Sequence, residues 1–428
     1  MNMPASAPLP TALVMNPYYT GLGIARALRG LRVPIVALCS EAGVPGARSR
    51  YFDRVLTAPN GRDEPEALCD FLVKAGAGFP CKPVVFPTRD FDVIFLERFH
   101  DALAPWYVLP QPDDSPILRM MDKLELADVA TKLGLPTPRT ASCDSAESLE
   151  LQASAMRFPV IAKPRYAFQW RQQGLWEKVG AQKAFIVESR GELRHLYSRL
   201  AAVTEEVLLQ EYIPGVDMDI VVCCAYIGRD GQPKGHFTGR KLKQSPPLVG
   251  TGCVVEAVDC PAIVAPTFAL LNAFGYTGIA EVEFKLDKAT GIYYLIEINP
   301  RHWDQHELGT LVGINISRLA YEDLLGRALQ AVLPIYPAGS RCVWVAESEL
   351  ALDVGRTVLA AIRAEPASGR FRRGMAVAVQ GWRETSALLR GRRIYSMWRP
   401  SDPLPGAIAG WGLAKDVLLA VGRRLRGA

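Results

Sequence analysis

The chain has 428 residues, too many for one compact core, and implies two to four packed units. With 49% hydrophobic and 22% charged residues it has the composition of a folded protein rather than a disordered one, and no apolar run reaches membrane-spanning length. The net charge of +5 is uneven: from Ile335 onward 15 Lys and Arg face 7 Asp and Glu, a basic tail on a nearly neutral body, which is not the profile of a nucleic-acid binder.

The first residues lack a basic region followed by a long apolar core, so no signal peptide is expected. Nine cysteines without CxxC spacing read as reduced, buried thiols of a cytoplasmic protein. Thr11–Asn16 reads as an apolar strand, followed by Gly21-Leu22-Gly23, a helix over Ile24–Gly30 and a second strand at Val33–Cys39. Further strands at Asp53–Thr57 and Pro83–Phe86 continue an α/β unit. The GxG either holds an anion at a helix start or serves tight packing. Arg89 and Asp90 follow an apolar strand, where ligands bind in α/β sheets, although Thr88 or Asp90 as a helix cap fits as well. Proline-rich Pro105–Pro116 reads as a linker.

Asp122 with Glu125 three residues later marks a helix start that runs to Gly134. Lys123 then falls in the first turn, where the helix dipole disfavours a cation unless a phosphate is near. Phe158–Pro164 is a buried strand ending on Lys163, an ammonium that needs a partner. Arg165–Lys183 has no strong periodicity and reads as a loop; a strand at Ala184–Glu188 and a helix over Gly191–Thr204 follow. Val207–Val222 is strand, turn at Pro214-Gly215, strand. Arg240, Lys241 and Lys243 lie together in a basic strand, either solvated or a phosphate or carboxylate clamp, with Arg240 as its catalytic cation and Lys241 as a nucleotide contact. The end of the chain reads as a strand at Cys342–Ala346 and basic amphipathic helices. Arg423, Arg424 and Arg426 at the last helix's C-terminal end suit its dipole, and the same helix has the form of a peripheral membrane contact.

The stretch Gly278–Trp303 reads as a hairpin. Glu281, Glu283 and Lys285 alternate with Val282, Phe284 and Leu286, the turn is Asp287–Gly291, and the second strand sets Ile292, Tyr294, Ile296 and Ile298 against Glu297 and Asn299. If the strands pair, Glu283, Glu297 and Asn299 converge beside Arg301. Such a face is either a solvated acidic surface or a site where Mg²⁺ relieves the repulsion between carboxylates.

In order, Asp122-Lys123, Lys163 in VIAKP, Gln210 through Asp217, GRKLKQSPP, EVEF and EINPR resemble the ATP-grasp superfamily, in particular its carboxylate–amine ligase branch with the D-aspartate ligase-like proteins. The likeness spans residues 11–330. It implies an α/β fold with a Rossmann-like pre-ATP-grasp domain (1–115) and two α+β subdomains clamping ATP, the lid with its linker helix (116–211) and the catalytic subdomain (212–333). A basic α-rich extension (334–428) follows. It implies that Lys123 and Lys163 hold ATP phosphates, that Gln210, Glu211, Tyr212 and Ile213 line the adenine, and that Asp217 binds the ribose. Glu283, Glu297 and Asn299 would hold Mg²⁺, as two ions with Mn²⁺ as a substitute, and Lys163 and Arg301 would steady developing charge.

The implied reaction joins a small carboxylate to an amine through an acyl phosphate; its rivals are a phosphotransferase on the same fold and a non-catalytic nucleotide-binding scaffold. The implied partners are small molecules, without nucleic acid, and a second copy in a homodimer. Two departures stand out. The segment after Lys163 lacks the glycine-rich lid, which leaves Trp170, Lys178 or Lys183 to grip phosphate, and Glu281 stands where many relatives carry Arg.

Overall fold

The computed structural model describes residues 9–112, 114–171, 175–180, 182–202, 204, 206–363 and 370–426, and the chain divides into two compact units. The first comprises Met1–Asp113, His302–Gln330 and Cys342–Ala428; the second comprises Asp114–Arg301 and Ala331–Arg341.

In the first unit β1 (Ala12–Met15), β2 (Ile35–Cys39), β3 (Arg54–Thr57) and β4 (Val84–Phe86) form a parallel sheet in the order β3-β2-β1-β4. β1, β2 and β4 are buried throughout, as apolar runs covered on both faces must be. The first helix begins at Tyr19, earlier than the sequence suggests, so Gly21 and Gly23 lie inside it. A Cβ on Gly21 would come within 2.0 Å of the Asn16 carbonyl oxygen, so this glycine serves close packing and not an anion loop. Asp92, and not Thr88 or Asp90, caps the helix Asp90–Arg98 by accepting from the Thr88 and Arg89 amides at 3.0 Å each.

The second unit contains two sheets. β5 (Thr140–Cys143), β6 (Val160–Lys163), β7 (Phe185–Val187) and β8 (Val207–Glu211) are ordered β5-β8-β6-β7 and antiparallel. Their core holds Leu149, Val187, Leu193 and Leu209, and also Trp170, 1% exposed, from the segment expected to be a loop. That segment carries a 3-10 turn at Gln169–Arg171 and a short helix, Leu175–Lys178. Trp170 packs against Phe185 in a tilted pair, ring centres 5.8 Å apart, and is therefore lost as a phosphate grip.

β9 (Ile220–Ile227), β10 (Pro233–Ser245), β11 (Thr251–Ala257), β12 (Gly278–Asp287) and β13 (Ile292–Asn299) make the other sheet, side by side as β13-β12-β9-β10-β11 and antiparallel. The bend between β8 and β9 passes through Gly215 at φ +134°, where a Cβ would sit 2.6 Å from the Asp219 carboxylate.

The chain then returns to the first unit, where β14 (Cys342–Val345) and β15 (Arg392–Tyr395) pair in parallel. Among the described residues no helix is long and apolar enough to cross a membrane. The side chains of Arg423, Arg424 and Arg426 lie outside the described ones. All nine cysteines are free.

Candidate functional site

The hairpin forms as its alternation requires. Glu281 lies opposite Asn299 and Glu283 opposite Glu297, and directly opposed residues in an antiparallel pair share a face. The Asp287 carboxylate holds the turn by accepting from the Ala289 amide and the Thr290 hydroxyl, both at 2.9 Å. A register shift between Glu283 and Phe284 interrupts the alternation at Ile296. Leu295 therefore opposes Phe284 and is buried, and Tyr294 opposes Lys285, on the acidic face and not on the apolar face expected of it.

Cations converge on these oxygens. Lys241 forms an ion pair with Glu283, both largely buried. Burial lowers the Lys241 ammonium, but the Glu283 and Glu281 carboxylates outweigh it and raise its pKa. Burial pushes Glu281 up to about 7, against the pull of Lys241, and its carboxylate accepts from the Asn299 amide nitrogen at 3.1 Å. The Asn299 amide oxygen accepts from Arg301 at 3.3 Å. Lys123 reaches to 4.0 Å from Glu297.

Lys123 and Lys163 are brought together from separate elements. Asp122 caps the helix Lys123–Lys132, accepting from the Leu124 and Glu125 amides, and the same carboxylate takes Arg165 at 2.6 Å and the Tyr166 hydroxyl at 3.0 Å. Burial would raise the Asp122 carboxyl, but these donors hold it below its ordinary range. The Lys123 ammonium donates to the Arg165 carbonyl at 3.2 Å, so the residues just after β6 are latched to the start of the helix. Lys163, at the end of β6, donates to the Gln210 amide oxygen at 2.7 Å; burial and the neighbouring Lys123 lower its pKa to about 7.

Other expected positions fall differently. The Gln210 side chain orients Lys163 and donates to Thr140 at 2.9 Å, whereas Ile213 is buried, Tyr212 half-buried and Glu211 exposed. Asp217 accepts from the Gln244 and Leu248 amides at 2.8 Å each and so pins the segment after β10. Arg240 and Lys241 point to opposite faces of β10: Arg240 lies 3.8 Å from Glu256, which also binds Arg341. The expected clamp is therefore divided, and only Lys241 reaches the acidic face. Lys183 hydrogen-bonds to Thr251, and Lys178 is exposed. Among the described residues no three His, Cys, Asp or Glu side chains close into a metal cluster. The donor set of Glu283, Glu297 and the Asn299 amide oxygen, opposed by three lysines, fits a hard cation that shares its shell with phosphate oxygens.

In the first unit, His302 bonds Ser317 at 3.0 Å and His306 bonds the Thr20 carbonyl at 3.1 Å, so both are core histidines. Burial lowers His306 to about 4. Sequence reasoning passed over Arg165, Tyr166 and Lys285; the spacing of Lys285 two residues after Glu283 was the available signal.

The chain matches no family model. It is 30% identical over 235 residues to D-aspartate ligase from Enterococcus faecium, covering 53% of this chain and 55% of that protein. It is 25% identical over 222 residues to D-alanine–D-alanine ligase from Xylella fastidiosa, 50% of this chain and 68% of that one. The chain thus spans little more than half of the D-aspartate ligase it matches. Its fold resembles the ADP complex of N5-carboxyaminoimidazole ribonucleotide synthetase, with a TM-score of 0.62 at 16% identity over 83% of this chain and 86% of that one. It also resembles L-amino acid ligase from Bacillus licheniformis, with a TM-score of 0.58 at 18% identity over 74% of this chain and 75% of that one. The chain thus has the ATP-grasp fold, and over about half of its length it is similar in sequence to D-aspartate ligase and to D-alanine–D-alanine ligase.

Proposed function

We propose that this protein is an ATP-dependent ligase that joins a carboxylate to an amine and releases ADP and phosphate. The observation that carries the reading is the gathering of Lys123, Lys163 and Lys241 within the field of Glu283 and Glu297, on the hairpin face that also carries Asn299. A structural hairpin has no use for this arrangement, whereas a triphosphate with its cation would neutralise both halves. The names of the relatives, ligases of D-aspartate and D-alanine, support amino-acid-like substrates.

In this reading Lys123 and Lys163 bind the phosphates, and Glu283, Glu297 and Asn299 hold Mg²⁺ as one or two ions, with Mn²⁺ as a substitute. The metal, when bound, neutralises charge on the phosphate oxygens. A substrate carboxylate attacks the γ-phosphate, giving an acyl phosphate and ADP; an amine attacks the acyl carbon, and phosphate leaves. Arg301 steadies the oxyanion with a guanidinium that stays charged. The β5–β8 sheet is the lid over the phosphates, and Tyr212 and Ile213, in the bend, border the base.

The test is phosphate release from ATP and Mg²⁺ across a panel of amino acids, short peptides and carboxylic acids, with products followed by mass. Release that requires both an acid and an amine, with an amide product and ADP, is the expected result. Release with acid alone and a stable phosphorylated product would replace the ligase with a phosphotransferase.

A further inference from the structure

Lys285 continues the row of Glu281 and Glu283 along β12, on the site face, opposite Tyr294. It is only 7% exposed, and its ammonium lies 5.0 Å from the centre of the Tyr212 ring. Among the described residues this ammonium makes no hydrogen bond and no ion pair. The three carboxylates whose field reaches it are committed elsewhere. Glu283 pairs with Lys241, Asp219 pairs with Lys288 at 2.7 Å, and Asp217 accepts from two backbone amides.

A buried ammonium without a hydrogen-bond acceptor is costly, and the long side chain could otherwise extend to water. The cost is explained if a ligand supplies the missing acceptor. Position decides which part of the ligand. Lys123, Lys163 and Lys241 gather around Glu283 and Glu297, at the phosphate end of the site, whereas Lys285 lies beyond Glu283, against Tyr212 in the bend and within the field of Asp217.

We propose that Lys285 is a nucleotide-contacting residue whose ammonium donates to an acceptor atom on the base or ribose of the bound nucleotide. The inference rests on the nucleotide-binding reading above and adds to it the residue that recognises the nucleoside end. Tyr212 screens one side of the ammonium, and Tyr294 stands opposite it across the strand pair.

The test compares wild type, Lys285→Met and Lys285→Arg by calorimetric titration with ATP, ADP and inorganic tripolyphosphate, each with Mg²⁺, together with thermal melting of the free proteins. Lys285→Met is expected to bind ATP and ADP about tenfold more weakly, as loss of a charged hydrogen bond implies. Its affinity for tripolyphosphate should stay unchanged, and Lys285→Arg should recover part of the loss. Free Lys285→Met should melt at or above the wild-type temperature, because methionine fills the volume without the buried charge.

A lower melting temperature for Lys285→Met would mean that the cation–ring contact is structural, and would overturn the inference. So would unchanged ATP affinity, or an equal loss for tripolyphosphate, which places the contact on phosphate. If wild type itself binds neither nucleotide, the nucleotide reading fails as well, a result distinct from equal binding by wild type and variant.

Discussion

Lys163 carries the clearest electrostatic signature of the site. Burial and the Lys123 charge bring its ammonium to about 7, far below the ordinary lysine value of 10.5, and among the described residues its hydrogen bond is to the neutral Gln210 amide oxygen. Because the folded pKa is depressed, the unfolded chain binds more protons between about pH 7 and 10.5, so this group's destabilising effect is full below pH 7 and fades as pH rises through that window. Wild type should therefore gain stability between pH 7 and 9 relative to Lys163→Met, measured by urea denaturation in parallel. A bound phosphate favours the protonated lysine, so ATP binding at pH 8 should take up a proton, read from calorimetry in buffers of different ionisation enthalpy. Glu297→Ala should lower kcat by at least about a hundredfold with the fold intact, checked by coupled ADP release and circular dichroism. Lys123, Lys163, Glu283 and Asn299 stand out in the sequence because each is an unusual residue for a purely structural position: a cation in a first helical turn, an ammonium ending an apolar strand, oxygens on a half-buried hairpin face. Arg240 was misread because adjacent basic residues in a strand look like a cluster in one dimension and face opposite sides in three.

At the level of elements, the junction of β6 with the helix Lys123–Lys132 depends on one carboxylate. Asp122 caps the helix and binds Arg165 and Tyr166, and thereby sets the spacing of Lys123 and Lys163. Asp122→Ala removes the cap and strands Arg165. It should cost about 2 kcal/mol of stability by denaturant unfolding and raise the KM for ATP more than it lowers kcat, since both lysines lose their fixed separation. The capping role could be read from Asp122 and Glu125, but the link to Arg165 could not, because those residues are 43 apart. The hairpin pairing was likewise legible in its alternation as far as Ile296. A bulge there carries Tyr294 to the site face, and alternation has no means of registering one extra residue. The helix beginning at Tyr19 accommodates Gly21 where the Asn16 carbonyl leaves no room for a side chain.

For the whole molecule, the end of the chain is part of the first unit's framework. Arg26, in the first helix, donates to the carbonyls of Ser396 and Met397 at 2.7 Å and lies 3.5 Å from Asp402, which also accepts from Ser49. Glu347 accepts from the Ser396 hydroxyl and the Met397 and Trp398 amides, and Arg399 pairs with Glu307 at 2.6 Å. With the Arg26 and Asp402 side chains each only 2% exposed, Asp402→Ala leaves a buried guanidinium without its carboxylate. It should destabilise the first unit by about 3 kcal/mol, visible as an early transition in thermal unfolding, while ATP affinity at 25 °C, which the proposed function assigns to the second unit, stays at the wild-type value.

The sequence by itself determined the ATP-grasp motifs, their order, the parallel sheet at the start of the chain and the acidic hairpin, because these depend on local alternation, capping and residue chemistry within short windows. Only the tertiary structure decided that Arg240 turns away, that Trp170 is core and not a phosphate grip, that Asp122 ties the segments carrying Lys123 and Lys163 together, and that Lys285 is buried against the Tyr212 ring. Each of these depends on which distant groups desolvate or neutralise a side chain, and that pairing exists only once the chain has brought them within a few ångströms of one another.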